Sequence, residues 1–228
     1  RRLLLSRFIS EEIRGIQLII AQKFEGASVE RIGPGADACN HNAALRALSL
    51  EGEYRAIAVE SAGLAEMVRE LFAQGFDGLN VTIPHKQAIL PLMDELADSA
   101  RAVGAVNTIV KRDGRTIGHN TDAAGFMRGL SEAGFNPAGA RVLVLGAGGA
   151  ARAVVYALSN ASASVVIWNR THERAKRLAS EFGAEAINRL PLATLGKLDL
   201  IVNTTSVGMS PQSDETPLQF PTGERPPQ

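Results

Sequence analysis

The stretch Arg141-Val142-Leu143-Val144-Leu145-Gly146, followed by Ala147-Gly148-Gly149-Ala150-Ala151-Arg152, constrains the fold more than any other part of the chain. An apolar, β-branched run without polar alternation suits a strand buried on both faces, and the residues after the glycines have the composition of a helix. Glycine at such a junction permits a tight turn and close approach of the backbone to a ligand. A pyrophosphate can rest there on the unpaired N–H groups and the positive end of the helix dipole. A glycine-rich turn alone can be a mere β-to-α connection. The strand before Gly146, Gly148, Gly149 and Ala150 and the helix after them favour a dinucleotide site.

The same alternation continues in both directions. Downstream, "SVVIWNR" predicts a strand, "THERAKRLASEFG" a helix and "LDLIVNTT" a strand. Upstream, "YRAIAVE" predicts a strand over 54–60. A helix is expected over 61–75, capped by Ser61 and closed by Gly75, and "FDGLNVTI" completes a βαβ unit. Residues 87–104 read as a helical region interrupted by Pro91, and Asp113-Gly114 as the turn of a hairpin. "TDAAGFMRGLSEAG" reads as a helix, with a domain junction near residue 125. The fold class is therefore α/β, with an N-terminal α/β domain over 1–125 and a C-terminal Rossmann-type nucleotide-binding domain over 126–228. Within "SEEIRGIQLIIAQKF" the apolar residues at 13, 16, 20 and 24 form a helical stripe, although "IQLII" fits a strand equally well.

Bulk chemistry excludes several classes. With 24 Lys+Arg against 24 Asp+Glu in 228 residues, no charge surplus points to nucleic acid or to a membrane surface. No apolar run approaches the length of a membrane span, and Arg7 interrupts "RRLLLSRF" too early for a secretory leader. Cys39 is the only cysteine, so no intramolecular disulfide forms and a cytoplasmic location is expected. His41, His85, His119 and His172 lack metal-ligand spacing, so no metal is expected. The chain opens on Arg, as a fragment of a longer protein would; monomer and homodimer both remain open.

The strand after the glycine turn selects the dinucleotide. An NAD site places an acidic residue there to bind the ribose 2′-hydroxyl, whereas a 2′-phosphate prefers arginine. Asn169, Arg170 and Thr171 occupy the position here, with Arg174 one helical turn further on. A guanidinium offers a planar fork of donors to phosphate, so NADP is favoured over the plainer reading of a solvated helix start.

A hydride-transfer enzyme acting on a secondary alcohol must also move the hydroxyl proton. In "NVTIPHK", Lys86 follows a strand and a proline, where burial or a neighbouring charge would equip it for that task. Asp122 in "GHNTDAAG" is the best candidate for its carboxylate partner, and Thr82 and Asn107 offer directional hydrogen bonds to a hydroxylated substrate. The alternatives are a solvated lysine and an aspartate that caps the following helix.

The segments "NVTIPHK", "GAVNTIV", "GHNTDAAGF", "GAGGAARAV", "NRTHERA" and "NTTSVGM" stand in an order and spacing that resemble the shikimate dehydrogenase family, over about His41 to Met209. Members of that family reduce 3-dehydroshikimate to shikimate with NADPH. The resemblance implies a catalytic Lys86 with Asp122 as its partner, and Thr82 and Asn107 as shikimate ligands. It implies a pyrophosphate loop at Gly146, Gly148 and Gly149, and a 2′-phosphate clamp of Asn169, Arg170, Thr171 and Arg174. Thr205, Ser206, Val207, Gly208 and Met209 would lie beside the nicotinamide. In the family the substrate sits in a cleft between the two domains, and quinate is a second candidate substrate.

Both ends depart from the pattern. Counting back from His41 and Asn42 puts Gly35 and Asp37 where the family has two serines that bind the substrate carboxylate, and Asp37 would repel it. Residues 1–34 are atypical. Residues 211–228, rich in proline, read as an irregular tail where the family adds strands and a substrate-touching glutamine, so a sheet edge should lie uncovered. An impaired relative that binds NADP without turnover is therefore the alternative of a different class.

Overall fold

The computed structural model describes residues 3–5, 18–23, 36–49, 52–189, 195–207 and 217. In chain order they form β1 (Leu3–Leu5), β2 (Leu18–Lys23), α1 (Ala36–Ala47), β3 (Glu53–Ala58), α2 (Leu64–Ala73), β4 (Gly78–Val81), β5 (Glu95–Leu96), α3 (Asp98–Val103), β6 (Thr108–Arg112), β7 (Arg115–His119), α4 (Asp122–Glu132), β8 (Arg141–Leu145), α5 (Gly149–Asn160), β9 (Ser164–Trp168), α6 (His172–Phe182), β10 (Glu185–Ile187) and β11 (Leu200–Asn203). The fold is α/β, and the chain divides into two compact units: Ser10–Thr121, and Asp122–Gln228 together with Arg1–Ile9.

The unit that carries the glycine turn holds a parallel sheet in the order β1-β11-β8-β9-β10. Its central strand explains the unbroken apolar run. Val142 and Val144 join one core with Val154, Leu158, Val165, Ile167 and Leu178. Leu143 and Leu145 point the other way, into a second core with Val166, Leu195 and Leu198. All four of these β8 residues are at most 1% exposed, as expected of a strand covered on both faces. Gly183, in a left-handed conformation (φ 68°), ends α6.

Two features of this sheet were not expected. β10, only three residues long, carries too little periodicity to be seen in sequence. The outer edge of β11 is also not bare: β1 lies parallel to it, in the register Leu3 to Leu200 and Leu5 to Val202.

The other unit is mixed rather than parallel, with the order β3-β2-β4-β6-β7-β5. The helix α2 does connect β3 to β4, but β2 inserts between those strands and pairs antiparallel with both. Residues 18–23 are thus strand and not helix, because both neighbours offer them a complete ladder of partners. β6 and β7 form the expected hairpin, with Asp113 (φ 51°) and Gly114 (φ 77°) making the turn. Leu79, Val81 and Ile109 face a core built with Leu64, Val68, Leu71, Phe72 and Ile89.

The helix expected over 87–104 is broken up. Leu90–Leu92 form a single 3-10 turn around Pro91, Glu95–Leu96 join the sheet beside β7, and only Asp98–Val103 are α-helical. Proline lacks the N–H that an interior helical turn requires. Nor does Ser61 cap α2: Ser61–Gly63 form a 3-10 turn, and Gly63 precedes the α-helix. Gly75 (φ 86°) closes it as expected. Gly35, residues 24–34 and the tail apart from Pro217 lie outside the described residues, while Asp37 falls in the first turn of α1.

Candidate functional site

In the glycine-turn unit, the expected cofactor residues from Gly146 to Ser206 gather at the carboxyl end of the parallel sheet, where ligands of open α/β sheets bind. Leu145 pairs with Trp168 in register, and the N–H of Gly146 donates to the Trp168 carbonyl at 2.8 Å. Asn169 and Arg170 therefore emerge directly beside the glycine turn. On the other side Asn203 pairs with Leu145, and Thr204 donates through its N–H (2.9 Å) and hydroxyl (2.6 Å) to the Leu145 carbonyl.

Gly146 has φ 113°, and a Cβ there would meet Thr204 Oγ1 at 2.6 Å, so two independent constraints demand glycine. Gly148 precedes the first residue of α5, and no side chain caps that helix. A Cβ on Gly148 would touch nothing within 4 Å, so the space over the helix start is open. Gly149 and Ala150 are the first residues of α5. This is a cradle suited to a pyrophosphate.

The α6 end offers a second anion position. Thr171 precedes that helix without a side-chain cap bond, and Asn169 Nδ2 donates to the Thr171 carbonyl at 2.8 Å. Arg170 and Arg174 are both exposed, and neither is paired with a carboxylate among the described residues. Two guanidiniums at a helix start fit a phosphate group better than they fit a ribose hydroxyl.

Thr205 and Ser206 follow β11 in a loop clipped by Asn203. Its Oδ1 accepts from Thr205 N (3.0 Å) and Oγ1 (2.7 Å), and its Nδ2 donates to the Val207 carbonyl at 2.9 Å. Sequence reasoning overlooked Asn203, although an asparagine opening "NTTSVGM" is the usual sign of a side chain that shapes its own loop. Gly208 and Met209 lie outside the described residues.

In the other unit, the turn that carries Lys86 is tied down on three sides. The N–H of His85 donates to the Thr82 carbonyl at 2.9 Å, and the Lys86 carbonyl accepts from Val106 N at 2.7 Å. The ring of His85, fully buried, reaches the Val59 carbonyl through Nε2 at 2.9 Å. Because that carbonyl only accepts, Nε2 carries the hydrogen. Lys86 itself is only 9% exposed, so it is not a solvated lysine.

Thr82 is half-buried at the end of β4. Asn107 is joined to the same place: its carbonyl accepts from Val81 N at 2.8 Å. Its side chain grips Thr121, with Oδ1 accepting from Thr121 N at 2.9 Å and Nδ2 donating to Thr121 Oγ1 at 2.8 Å. Backbone bonds thus tie together the segments that carry Thr82, Lys86 and Asn107. Asp122, which begins the other unit, is half-buried at the first position of α4.

Comparison with known proteins addresses both units. Residues 36–109 match the family described as "Shikimate dehydrogenase substrate binding domain", and residues 130–213 match "Shikimate / quinate 5-dehydrogenase". The chain is 45% identical over 184 residues to shikimate dehydrogenase (NADP(+)) of Shouchella clausii, covering 78% of this chain and 67% of that protein. It is 48% identical over 191 residues to the protein of that name in Moorella thermoacetica, covering 78% and 64%. Among solved structures, the shikimate 5-dehydrogenase of Thermus thermophilus in complex with NADP(H) and shikimate is similar at a TM-score of 0.71 and 41% identity, over 80% of this chain and 67% of that one. The chain thus spans about two thirds of the length of these relatives.

Proposed function

The chain belongs to the shikimate dehydrogenase family, and from that membership we propose that it reduces 3-dehydroshikimate to shikimate with NADPH, and runs the reverse reaction. The observation that carries this reading is the burial of Lys86 on a turn that backbone bonds tie to the segments of Thr82 and Asn107. Lysine is rarely buried, and a buried one beside a turn held this firmly is a candidate for the work of a site.

The cofactor is NADP, supported by the name of the relatives and by the fit of the residues. When bound, it supplies the hydride for reduction or accepts it in oxidation. The N–H groups at Gly148, Gly149 and Ala150 would hold its pyrophosphate. Arg170 and Arg174 would take the 2′-phosphate, with Asn169 and Thr171 shaping the turn between them. Thr205, Ser206, Gly208 and Met209 would flank the nicotinamide. Lys86 and Asp122 would act as the acid-base pair: Lys86 gives a proton to the oxygen that becomes the hydroxyl, and the carboxylate of Asp122 accepts a hydrogen bond from the hydroxyl so formed. Thr82 and Asn107 orient the ring through its hydroxyls. The Ser10–Thr121 unit would serve the substrate, and the unit of Asp122–Gln228 with Arg1–Ile9 the cofactor.

The test is NADPH formation by the purified chain from shikimate, with NADP affinity measured separately. Turnover that requires shikimate supports the proposal, and a parallel assay with quinate ranks the two substrates. Tight NADP binding with no turnover would overturn it in favour of an impaired NADP-binding relative.

A further inference from the structure

A line of hydrogen bonds runs from the interior of the Ser10–Thr121 unit to the side chain of Asn107, and every orientation along it is fixed. Thr121 N can only donate, so the atom of Asn107 that faces it is Oδ1. Thr108 Oγ1 donates to the same Oδ1 at 3.0 Å. With its proton committed there, Thr108 Oγ1 accepts from Asn80 Nδ2 at 3.2 Å. Asn80 Nδ2 also faces the Asn107 carbonyl, an acceptor only, at 3.4 Å. That leaves Asn80 Oδ1 to accept, and the hydroxyl of Tyr54 donates to it at 2.7 Å.

Tyr54 is the rigid end of this line. It is 4% exposed, and the His41 ring stacks on it with centroids 4.1 Å apart. Asn42 clamps its backbone from both sides, accepting from Tyr54 N and donating to Tyr54 O, each at 2.8 Å. The topology makes the line possible. Asn80 and Thr108 are paired in register on β4 and β6, while their neighbours Leu79, Val81 and Ile109 face the opposite, apolar side.

We propose that Tyr54 is a positioning residue, whose hydroxyl fixes the carboxamide of Asn107 through Asn80 and Thr108. The proposal rests on the reading of Asn107 as a substrate ligand. The donors all run in one direction, from Tyr54 through Asn80 and Thr108 to Asn107, so each bond polarises the next. Without the phenolic proton, Asn80 Oδ1 loses this donor, and its carboxamide keeps the two longer Nδ2 bonds without the short one that orients it. Thr108 then loses the reason to direct its own proton at Asn107, and a group that orients Oδ1 is gone.

Tyr54→Phe keeps the ring, the stack and the backbone clamp, and removes only the hydroxyl. The expected result is a KM for shikimate raised about 3- to 10-fold, the range that loss of one neutral hydrogen bond gives, with NADP affinity unchanged. Thr108→Val breaks the line one step further on and should give the same rise, with no further rise in the double variant. In an Asn107→Ala background, Tyr54→Phe should have no effect on KM. An unchanged KM, or an equal loss in that background, overturns the proposal. A second readout needs no turnover: the side-chain amide resonances of Asn107, assigned by their disappearance in Asn107→Ala, should shift in Tyr54→Phe. Resonances that stay in place overturn the positioning role whatever the activity. A wild-type chain that binds NADP but turns over no shikimate counts against the dehydrogenase reading alone.

Discussion

Asn107 and Thr121 hold each other at two points, one through the backbone N–H of Thr121 and one through its hydroxyl. The carboxamide therefore shapes the segment that ends at Thr121, and under the proposed function it also meets the substrate. Asn107→Ala removes both bonds and leaves a backbone N–H without its acceptor. The expected cost is about 1–3 kcal/mol of stability, read from urea unfolding, together with weakened shikimate binding. Asn107→Asp keeps an acceptor for Thr121 N and should retain most of the stability while still losing shikimate affinity. Equal stability losses in both variants would show that the acceptor atom is not what matters.

Lys86→Ala should lower turnover by about 100- to 10,000-fold, the range typical of a positioned acid-base group, with NADP affinity nearly unchanged. Single-turnover kinetics and a separate NADP titration distinguish the two effects. Asp122→Asn should also slow catalysis. An active Lys86→Ala variant would dismiss this lysine as the proton carrier.

What could be read in sequence followed the range of the interactions involved. β8 was legible because both of its faces are buried, which forces four consecutive residues, Val142 to Leu145, into a pattern that no exposed strand shows. The Asp113-Gly114 hairpin was legible because its turn needs positive φ at both residues. By contrast, the local sequence of Leu18–Lys23 fits helix and strand alike, and distant partners, β3 and β4, decide for strand. The segment around Pro91 has helical composition, yet its Glu95–Leu96 portion is drawn into the sheet by β7. At the candidate site, "NVTIPHK" announced Lys86. The link from Tyr54 to Asn80 spans 26 residues and could be seen only in three dimensions.

Gly146 and Gly148 should respond differently to alanine. At Gly146 the φ of 113° and the 2.6 Å approach to Thr204 Oγ1 both oppose a methyl group, so Gly146→Ala should cost at least about 1–3 kcal/mol of stability. At Gly148 a Cβ meets nothing within 4 Å, so Gly148→Ala should leave stability intact and still weaken NADP by standing where the pyrophosphate rests. Urea unfolding and NADP titration on both variants check the contrast. Undiminished NADP affinity in Gly148→Ala would move the pyrophosphate elsewhere.

Arg170→Ala should weaken NADP by about 1–3 kcal/mol, the worth of a hydrogen bond to a charged group, and should leave NAD affinity almost unchanged. The effect should diminish as salt rises, because the guanidinium is exposed. Titrations of both nucleotides at two ionic strengths measure it. Equal losses for NAD and NADP would remove the 2′-phosphate from this position.

Arg152 and Glu181 join α5 to α6 through two contacts, Nη1 to Oε1 at 3.1 Å and Nη2 to Oε2, while the guanidinium lies 5.4 Å from the centre of the Phe182 ring. The hydrogen bond from Arg152 is the largest influence on Glu181 and holds its carboxyl below the ordinary value of 4.5; burial opposes this, and the charge of Arg152 adds to it. A carboxylate whose folded pKa is depressed contributes stability above its unfolded pKa and loses it as the pH falls through the folded one. Glu181→Gln should therefore lower the melting temperature at pH near 7, and the gap from wild type should close in acid, once Glu181 is protonated in both states. The exposure of Glu181, 45% of its side chain, keeps the effect small and sensitive to salt. A gap that stays constant from neutral to acid pH would mean that Glu181 acts by packing and not by charge.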